Sequence, residues 1–332
     1  MSTDIKLLLI LLAGLVAAMI ASLHLGLRFY GPAQVWAALG GQDTGTDALI
    51  VSGLRVPRTL IAAVSGGALG LSGLLMQAGS RNPLAEPGLL GVNSGAALAV
   101  VLLVVVTGRA GMGVIALAAV AGALGAIALV LGLSALGQIR ADPASILLLG
   151  VTMAALFGAL TQVILLSHET ALERLLFWLA GSFADRELRL LWIGLPVLLA
   201  GLAAAFWLAP ALDLMRTDDD SAAALGVPVL RMRYASFGVA AVLAGGVVAM
   251  AGPVIFLGLV TPHILRRMHP GAGHLWLVPA CVLGGALIAV LADILARLIV
   301  APAEAPIGTV LALLGVPVLI WQLRRRASRR FA

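Results

Sequence analysis

Long apolar runs separated by short polar breaks dominate this sequence of 332 residues. Hydrophobic residues make up 61% of the chain and charged residues only 11%, whereas a soluble domain is usually about 25% charged. A run of ~20 apolar residues is long enough to cross a bilayer as a helix. The composition therefore predicts an all-α polytopic membrane protein in which residues 1–332 form a single transmembrane domain.

Charges, prolines and glycines divide the apolar runs into about ten predicted transmembrane helices. Their approximate bounds are 6–28, 57–78, 89–107, 112–136, 145–167, 190–209, 233–251, 253–267, 275–299 and 306–323. An even number of helices puts both termini on the same side of the membrane. Most of the 21 Lys and Arg residues fall in the loops on that side, and such loops are normally cytoplasmic. We therefore expect both termini in the cytoplasm, and the net charge of +6 needs no nucleic-acid partner.

Two predicted connections are longer than a simple turn. The connection from Ser167 to Arg189 is expected outside the cytoplasm, and its apolar residues have a spacing compatible with a helix along the membrane surface. The connection 210–233 is expected in the cytoplasm. It contains three consecutive aspartates at 218–220 and Ser221, then alanines and Gly226, which is the pattern of short, capped helices. A single acidic triplet is a weak metal signal, so we favour the capped helix over a metal site.

Several kinds of chemistry are disfavoured by the residues that are present. Lys6 is the only lysine and follows no glycine-rich turn, so the chain has no P-loop for ATP. His263 stands alone beside a proline without a second ligand at helical spacing, which favours a structural role over metal binding. Ion-coupled carriers usually bury ionisable residues. The deepest candidates here are His24, Asp293 and Arg297, of which the last two are spaced to pair with each other.

The stretch 55–95 combines three features in RVPRTLIAAVSGGALGLSGLLMQAGSRNPLAEPGLLGVNSG. Two arginines flank a proline at its start, glycines spaced three or four apart follow, and a proline-rich polar turn ends the apolar run. Glycines with this spacing lie on one helix face and let another backbone approach closely in lipid. A transmembrane hairpin would explain the glycines but not the whole string.

That string closely resembles the signature of the FecCD-type permease subunits of binding-protein-dependent ABC importers, which take up iron-siderophores, haem and cobalamin. Further stretches resemble the same family in the same order: 252–266 (GPVIFLGLVTPHILR), 291–297 (LADILAR), 304–308 (EAPIG) and 315–317 (GVP). The matches extend over nearly the whole chain, from about Arg55 to Trp321.

The resemblance implies a transport subunit of a bacterial cytoplasmic (inner) membrane, without an ATPase site, catalytic residues, a metal or a cofactor of its own. Its implied substrate is a bulky iron chelate, first a ferric siderophore, with haem or cobalamin (vitamin B12) as the alternative. A secondary transporter is a more distant alternative, and a membrane-bound enzyme would need a polar cluster for which only the aspartate triplet qualifies. The implied partners are a second permease copy or paralogue, two ATP-binding subunits that hold ATP and Mg, membrane lipid, and a periplasmic or lipid-anchored substrate-binding protein.

The resemblance also assigns roles to three sets of residues. Docking of the substrate-binding protein is assigned to Arg55, Arg58 and Arg297. Coupling to the ATPase is assigned to Asp219, Ser221, Ala222, Leu225 and Gly226, although Asp218 stands where the family usually has glycine. The cytoplasmic gate is assigned to Asn82, Leu84, Pro143 and Ala144.

Overall fold

A computed structural model describes residues 3–41, 45–108, 111–136, 143–299, 305–313, 315 and 317. Thirteen α-helices form the regular structure of this part of the chain. They are α1 (Thr3–His24), α2 (Pro32–Leu39), α3 (Thr46–Leu49), α4 (Val56–Ser80), α5 (Val92–Thr107), α6 (Met112–Leu136), α7 (Pro143–Ser167), α8 (Glu169–Leu179), α9 (Leu191–Leu214), α10 (Asp219–Ala224), α11 (Val229–Ala251), α12 (Leu257–Met268) and α13 (His274–Ile299). Short 3-10 turns at Pro87–Leu90 and Leu188–Leu190 precede α5 and α9, and residues 307–313 are also helical.

The predicted all-α membrane architecture is confirmed. Within the described residues, 7 helical segments are long and apolar enough to cross a bilayer. Three other predicted spans are shorter here, because α5 has 16 residues, α12 has 12, and the last is described only around 307–313. The total of ten crossings and the side of the termini stay predictions, and the predicted region 318–323 lies outside the described residues.

The predicted start of the second helix at residue 57 is wrong. The helical segment begins at Thr46 and runs through Ser80, with one wide π-helical stretch at Ile50–Arg55. Pro57 has no N–H and its ring would crowd the carbonyl four residues earlier, which a wide turn accommodates without ending the helix. Arg55 and Arg58 therefore lie inside a segment of 35 residues and not at its start.

Other boundaries also differ from the prediction. The first helix ends at His24, and α2 follows where no helix was predicted. Because α9 continues through Pro210 to Leu214 and α11 already begins at Val229, the predicted loop 210–233 is only residues 215–228 and contains one short helix, α10. Neighbouring helices can satisfy the carbonyl that a proline leaves free, so an internal proline need not end a membrane helix. The helix predicted between Ser167 and Arg189 is present as α8.

Helix α4 lies at the centre of the bundle. Most of its side chains are buried, and it packs against α13, α11, α12, α9 and α1. Its glycines make these contacts close. A Cβ added to Gly66 would lie 2.4 Å from the carbonyl oxygen of Gly285 on α13, and one added to Gly73 would lie 1.8 Å from that of Gly258 on α12. Backbone therefore packs directly on backbone, which lipid-embedded helices achieve through small residues.

We expect Gly73→Ala to destabilise the chain, since its methyl group would overlap the backbone of Gly258 and force α4 and α12 apart. Overpacking of this kind costs about 1–3 kcal/mol. Gly125→Ala on the exposed face of α6 is the matched control, because nothing lies within 4 Å of its added Cβ. Thermal unfolding of the purified chain in detergent should show a lower midpoint for Gly73→Ala alone. Equal midpoints for the two variants would contradict this packing.

Candidate functional site

A buried ion cluster joins α4 to α13. The Arg58 side chain donates from Nε to both carboxylate oxygens of Asp293, at 2.9 and 3.0 Å, and its Nη2 lies 2.9 Å from Oδ1. Arg297, one helical turn after Asp293, donates to Oδ2 of the same carboxylate, with a distance of 3.0 Å from Nε. The side chains of Asp293 and Arg297 are 2% and 3% exposed. One buried carboxylate is thus shared by two buried guanidinium groups.

Helix α1 completes this cluster through Ser22. Arg297 donates from Nη1 to the Ser22 carbonyl at 3.0 Å and from Nη2 to the Ser22 hydroxyl at 2.7 Å. The Ser22 hydroxyl also shares a 2.7 Å hydrogen bond with Thr59 on α4. We call Ser22, Arg58, Asp293 and Arg297 the arginine–aspartate cluster. It fixes the ends of three helices relative to one another.

Arg55 lies beside the cluster but binds different groups. It donates from Nη1 to the Leu23 carbonyl at 2.7 Å and from Nη2 to the Arg28 carbonyl at 2.5 Å. Its guanidinium carbon also lies 4.5 Å from the centre of the Tyr30 ring, a cation–π contact. These contacts hold the connection between α1 and α2 against the π-helical stretch.

The three arginines assigned to docking line one cavity of about 380 Å³. Among the described residues its wall also contains Arg28 and Asp185, so four arginines line it, two of which are already paired with Asp293. An anionic group entering this cavity would meet a positive field, and arginine is well suited to grip a carboxylate with two hydrogen bonds. The structure thus brings Arg55, Arg58 and Arg297 together, although all three are also held by neighbouring groups.

Helix α10 lies in the loop between α9 and α11 and is capped as the sequence predicts. The Asp218 carboxylate accepts a 2.7 Å hydrogen bond from the Ser221 backbone N–H. That hydrogen bond lowers the pKa of the exposed Asp218 side chain, because the N–H stabilises the ionised form. Gly226 follows the helix with φ of +83°, a left-handed conformation that favours glycine. Ala222 is buried and Leu225 is exposed.

Asp219 connects α10 to α11 and to the end of α4. Arg233 on α11 donates from Nη2 to both of its carboxylate oxygens, at 2.9 and 3.0 Å. Arg81, directly after α4, places its Nη2 3.1 Å from Oδ1 of the same carboxylate. Arg233 also donates to the Gly79 carbonyl of α4 at 3.0 Å. A displacement of α10 would therefore be transmitted to the end of α4.

The residues assigned to the gate occupy two different elements. Asn82 and Leu84 lie in the turn after α4, where the Leu84 N–H donates to the Asn82 side-chain oxygen at 3.0 Å. Pro143 is the buried first residue of α7, and Ala144 beside it is exposed. Their role as a gate stays a prediction.

Sequence reasoning assigned no role to Glu86 or to Asp213, yet both carboxylates are structural centres. Glu86 accepts a 3.1 Å hydrogen bond from the N–H of Phe256, which has a left-handed φ of +68° before α12. Burial raises the pKa of the Glu86 carboxyl above its usual value. Asp213 accepts from the N–H of His274 at 3.1 Å and from its ring Nδ1 at 2.7 Å. The position of Glu86 among apolar residues and between two prolines was a sequence signal for a buried carboxylate. No sequence pattern singled out Asp213.

Comparison with known proteins identifies similar chains. The sequence profile of the FecCD transport family matches residues 14–325. The ferric enterobactin transport system permease protein FepD of Escherichia coli is 40% identical over 317 residues, which cover 95% of this chain and 94% of the relative. The hemin transport system permease protein HmuU of Yersinia pestis is 38% identical over 283 residues, covering 83% and 84%.

The fold is also similar to a solved structure. A transporter assigned to the metal-chelate ABC type, in an inward-facing conformation, superimposes with a TM-score of 0.83 at 30% sequence identity. The superposition covers 96% of this chain and 99% of the other.

Replacing Asp293 with Asn should destabilise the bundle, because Arg58 and Arg297 would stay buried without a charge to balance them. Breaking a buried ion pair by removing one partner costs about 3–5 kcal/mol. Glu187→Gln is the matched control, since Glu187 pairs with Arg189 at an exposed position and such pairs contribute about 0–1 kcal/mol.

The readout is the thermal unfolding midpoint of each purified variant. A clear loss of stability is expected for Asp293→Asn and almost none for Glu187→Gln. An Asp293→Asn variant as stable as the parent would show that the cluster does not hold the three helices together.

Proposed function

Because the chain belongs to the FecCD transport family, we propose that it is the permease subunit of an ABC importer and forms the path of a bulky iron chelate. The family resemblance predicted from the sequence is confirmed by the profile match over residues 14–325. The observation that carries the proposal is the pairing of two features on one buried helix: a cationic cavity near the start of α4 and the capped helix α10 bound at its end.

The substrate that we propose first is a ferric siderophore. The similarity to a ferric enterobactin permease, at 40% identity, supports this choice. Haem is the alternative supported by the 38% identical hemin permease, and cobalamin is a further one because the family motifs are shared. A large polar chelate cannot dissolve in lipid, so its path must form between helices. A path lined with small residues such as Gly, Ala, Ser and Thr would offer only weak contacts, and weak contacts allow the substrate to leave.

We place the chain in a bacterial cytoplasmic membrane with about ten crossings and both termini in the cytoplasm. The excess of Lys and Arg in loops on the side of the termini supports this orientation. In this arrangement α10 and Arg81 face the cytoplasm, and the cavity of Arg55, Arg58 and Arg297 faces the opposite side. A second copy of the chain, or a paralogue, would complete the path across a two-fold axis.

The cationic cavity is the proposed docking site of a substrate-binding protein, which is periplasmic or lipid-anchored. Acidic side chains on its two lobes would enter one cavity on each permease subunit. Arg58 and Arg297 already share the carboxylate of Asp293, and guanidinium groups are suited to bind an incoming carboxylate in the same way. Asp293 therefore keeps the two guanidinium groups in the cavity wall when no partner is bound.

Helix α10 is the proposed contact with an ATP-binding subunit, two of which would hold ATP and Mg. The chain itself carries out no chemistry in this scheme. A movement of α10 would reach the end of α4 and α11 through the ion pairs of Asp219 with Arg81 and Arg233. Gly226 lets the chain reverse direction after the helix. The turn with Asn82 and Leu84 directly follows Arg81, which places the proposed gate within one residue of that ion pair.

A secondary transporter is the competing function, and the arginine–aspartate cluster is the observation that favours it. Buried ionisable residues in membrane helices commonly mark ion or proton pathways. In a secondary transporter the cluster would couple transport to an ion gradient. In an ABC importer it would fix helices and hold the docking arginines, and ATP would drive transport.

Uptake into proteoliposomes distinguishes these functions. The chain would be reconstituted with its ATP-binding subunit and substrate-binding protein, and internalised radioiron or cobalamin would be counted. We expect uptake of a ferric siderophore only when ATP and both partners are present. Haem and cobalamin, the alternative substrates, would be assayed in parallel. Uptake driven by a proton or sodium gradient without ATP would overturn the proposal in favour of the secondary transporter.

The double variant Arg55→Gln, Arg58→Gln should bind the substrate-loaded binding protein at least about tenfold more weakly, because truncating one side of a close charge pair at an interface costs about 2–5 kcal/mol. Gln is chosen because Glu at position 58 would lie against Asp293 and disturb the fold. Arg189→Gln, which removes an exposed arginine outside the cavity, is the control.

The affinity of the substrate-loaded binding protein for surface-immobilised transporter is measured at low and high salt. Co-purification of the ATP-binding subunit shows that the variant still assembles. The parent's affinity should fall with salt, since salt screens the attraction between the charges of the two approaching proteins. Unchanged affinity of the double variant at low salt would leave these arginines as structural residues only.

A further inference from the structure

The segment that follows α4 is held between two helices. We call residues 82–85 the post-α4 turn, and it leads into a 3-10 turn. A Cβ added to Gly150 on α7 would lie 2.4 Å from the Leu89 carbonyl oxygen of that 3-10 turn, and one added to Gly258 on α12 would lie 3.1 Å from Cδ of Pro87. The segment is therefore in close contact with α7 on one side and with α12 on the other.

Helix α12 begins at a depth where backbone polar groups need partners within the protein. It has 12 residues, which span about 18 Å, whereas the hydrocarbon core of a bilayer is about 30 Å thick. In the proposed orientation α12 ends on the cytoplasmic side, with Arg266 and Arg267 in its last turn, so its first residue, Leu257, lies inside the membrane. Irregular backbone at this depth is tolerated only where it is buried in protein or lines a water-filled cavity.

Glu86 binds the irregular backbone directly before α12. Its Oε2 accepts the 3.1 Å hydrogen bond from the N–H of Phe256, whose φ of +68° lies in the left-handed region. A bulky residue rarely adopts this conformation. Within the part of the chain that the structure describes, the Glu86 carboxyl group forms no ion pair. Ionisable groups inside a membrane are costly and commonly mark functional positions, which indicates that Glu86 is present for this contact.

Helix α12 is itself fixed to the end of α4 by Gln77. This residue is 3% exposed. It donates from Nε2 to the Leu259 carbonyl at 3.2 Å and accepts from Nη1 of Arg266 at 2.8 Å, so it contacts α12 near both of its ends. The hydrogen bond of Glu86 therefore attaches the post-α4 turn to a helix that is already held in place.

We propose that Glu86 is the positioning residue of the cytoplasmic gate. The proposal rests on the function proposed above, in which the post-α4 turn is part of that gate. Helix α7 begins with the other two assigned gate residues, Pro143 and Ala144. While Glu86 binds Phe256, the turn keeps its place between α12 and α7. Without that bond the turn moves away while the helices stay in place, and the path opens to the cytoplasm without the ATP-driven step.

Cysteine labelling tests the proposal on the purified full-length chain in lipid nanodiscs, without partner subunits. The reporter is Leu84→Cys in the post-α4 turn, and the buried native Cys281 on α13 reports general unfolding. The reporter is combined in turn with Glu86→Ala, with Glu86→Gln, and with the control Glu173→Ala at an exposed position of α8. Mass spectrometry gives the rate of maleimide labelling at each cysteine.

Glu86→Ala should raise the labelling rate at position 84 about tenfold or more, because leaving the Phe256 N–H without an acceptor makes the open turn that much more populated. Glu86→Gln keeps an acceptor oxygen and should stay within about threefold of the parent. Glu173→Ala should match the parent, and Cys281 should stay unlabelled throughout. An unchanged rate at position 84, or labelling of Cys281 together with position 84, would overturn the proposal.

Transport provides a readout that a purely structural role would not change. In proteoliposomes with both partners, the number of chelate molecules imported per ATP hydrolysed should fall severalfold in Glu86→Ala while ATP hydrolysis continues. Glu86→Gln should restore this ratio. An unchanged ratio in Glu86→Ala would overturn the assignment of Glu86 to the gate. Failure of the parent to import any chelate would instead contradict the proposed function, and the labelling result would stand without it.

Discussion

The structure depends on the direct backbone contact of α4 with α13 and α12. Glycines at 66 and 73 bring these helices so close that no side chain fits between them. Because lipid provides no hydrophobic driving force between helices, the bundle relies on such close packing and on polar contacts between helices. Close packing also removes freedom of movement, so most of α4 behaves as a rod enclosed by its neighbours. The remaining helices are arranged around this rod, with α1, α9 and α11 in contact with it.

Charged groups fix both ends of this rod. At one end Arg58 binds Asp293 of α13, and Arg297 extends the ion cluster to α1. At the other end Arg81 and the Gly79 carbonyl connect α4 to Asp219 and Arg233. Charged groups of this kind are costly to bury unless they are paired, so their presence at both ends indicates that position, and not stability alone, is what they provide. In the proposed importer these two ends face a substrate-binding protein and an ATP-binding subunit, and α4 is the rigid element between them.

The length of the apolar runs predicted most of the helices, because it is a local property, whereas the arginines that gather in the cationic cavity were assigned by the family resemblance. The cap of α10 at Asp218 and the left-handed Gly226 were likewise confirmed, since both depend on a few adjacent residues. The start of the helical segment at Thr46 was missed because Pro57 normally marks a boundary, and a π-helical stretch cannot be read from composition. Asp219 pairs with arginines 14 residues later and at position 81, and Asp213 pairs with His274, 61 residues away. Such partners depend on tertiary packing and leave no local pattern.

Hydrogen–deuterium exchange on the assembled transporter tests most directly whether α4 is a rigid link between its two charged ends. Exchange would be compared with and without the substrate-loaded binding protein. The account predicts slow, unchanged exchange in residues 66–79 of α4. It also predicts altered exchange at both the arginine–aspartate cluster and α10. Rapid exchange within 66–79, or a change at the cluster with none at α10, would contradict it.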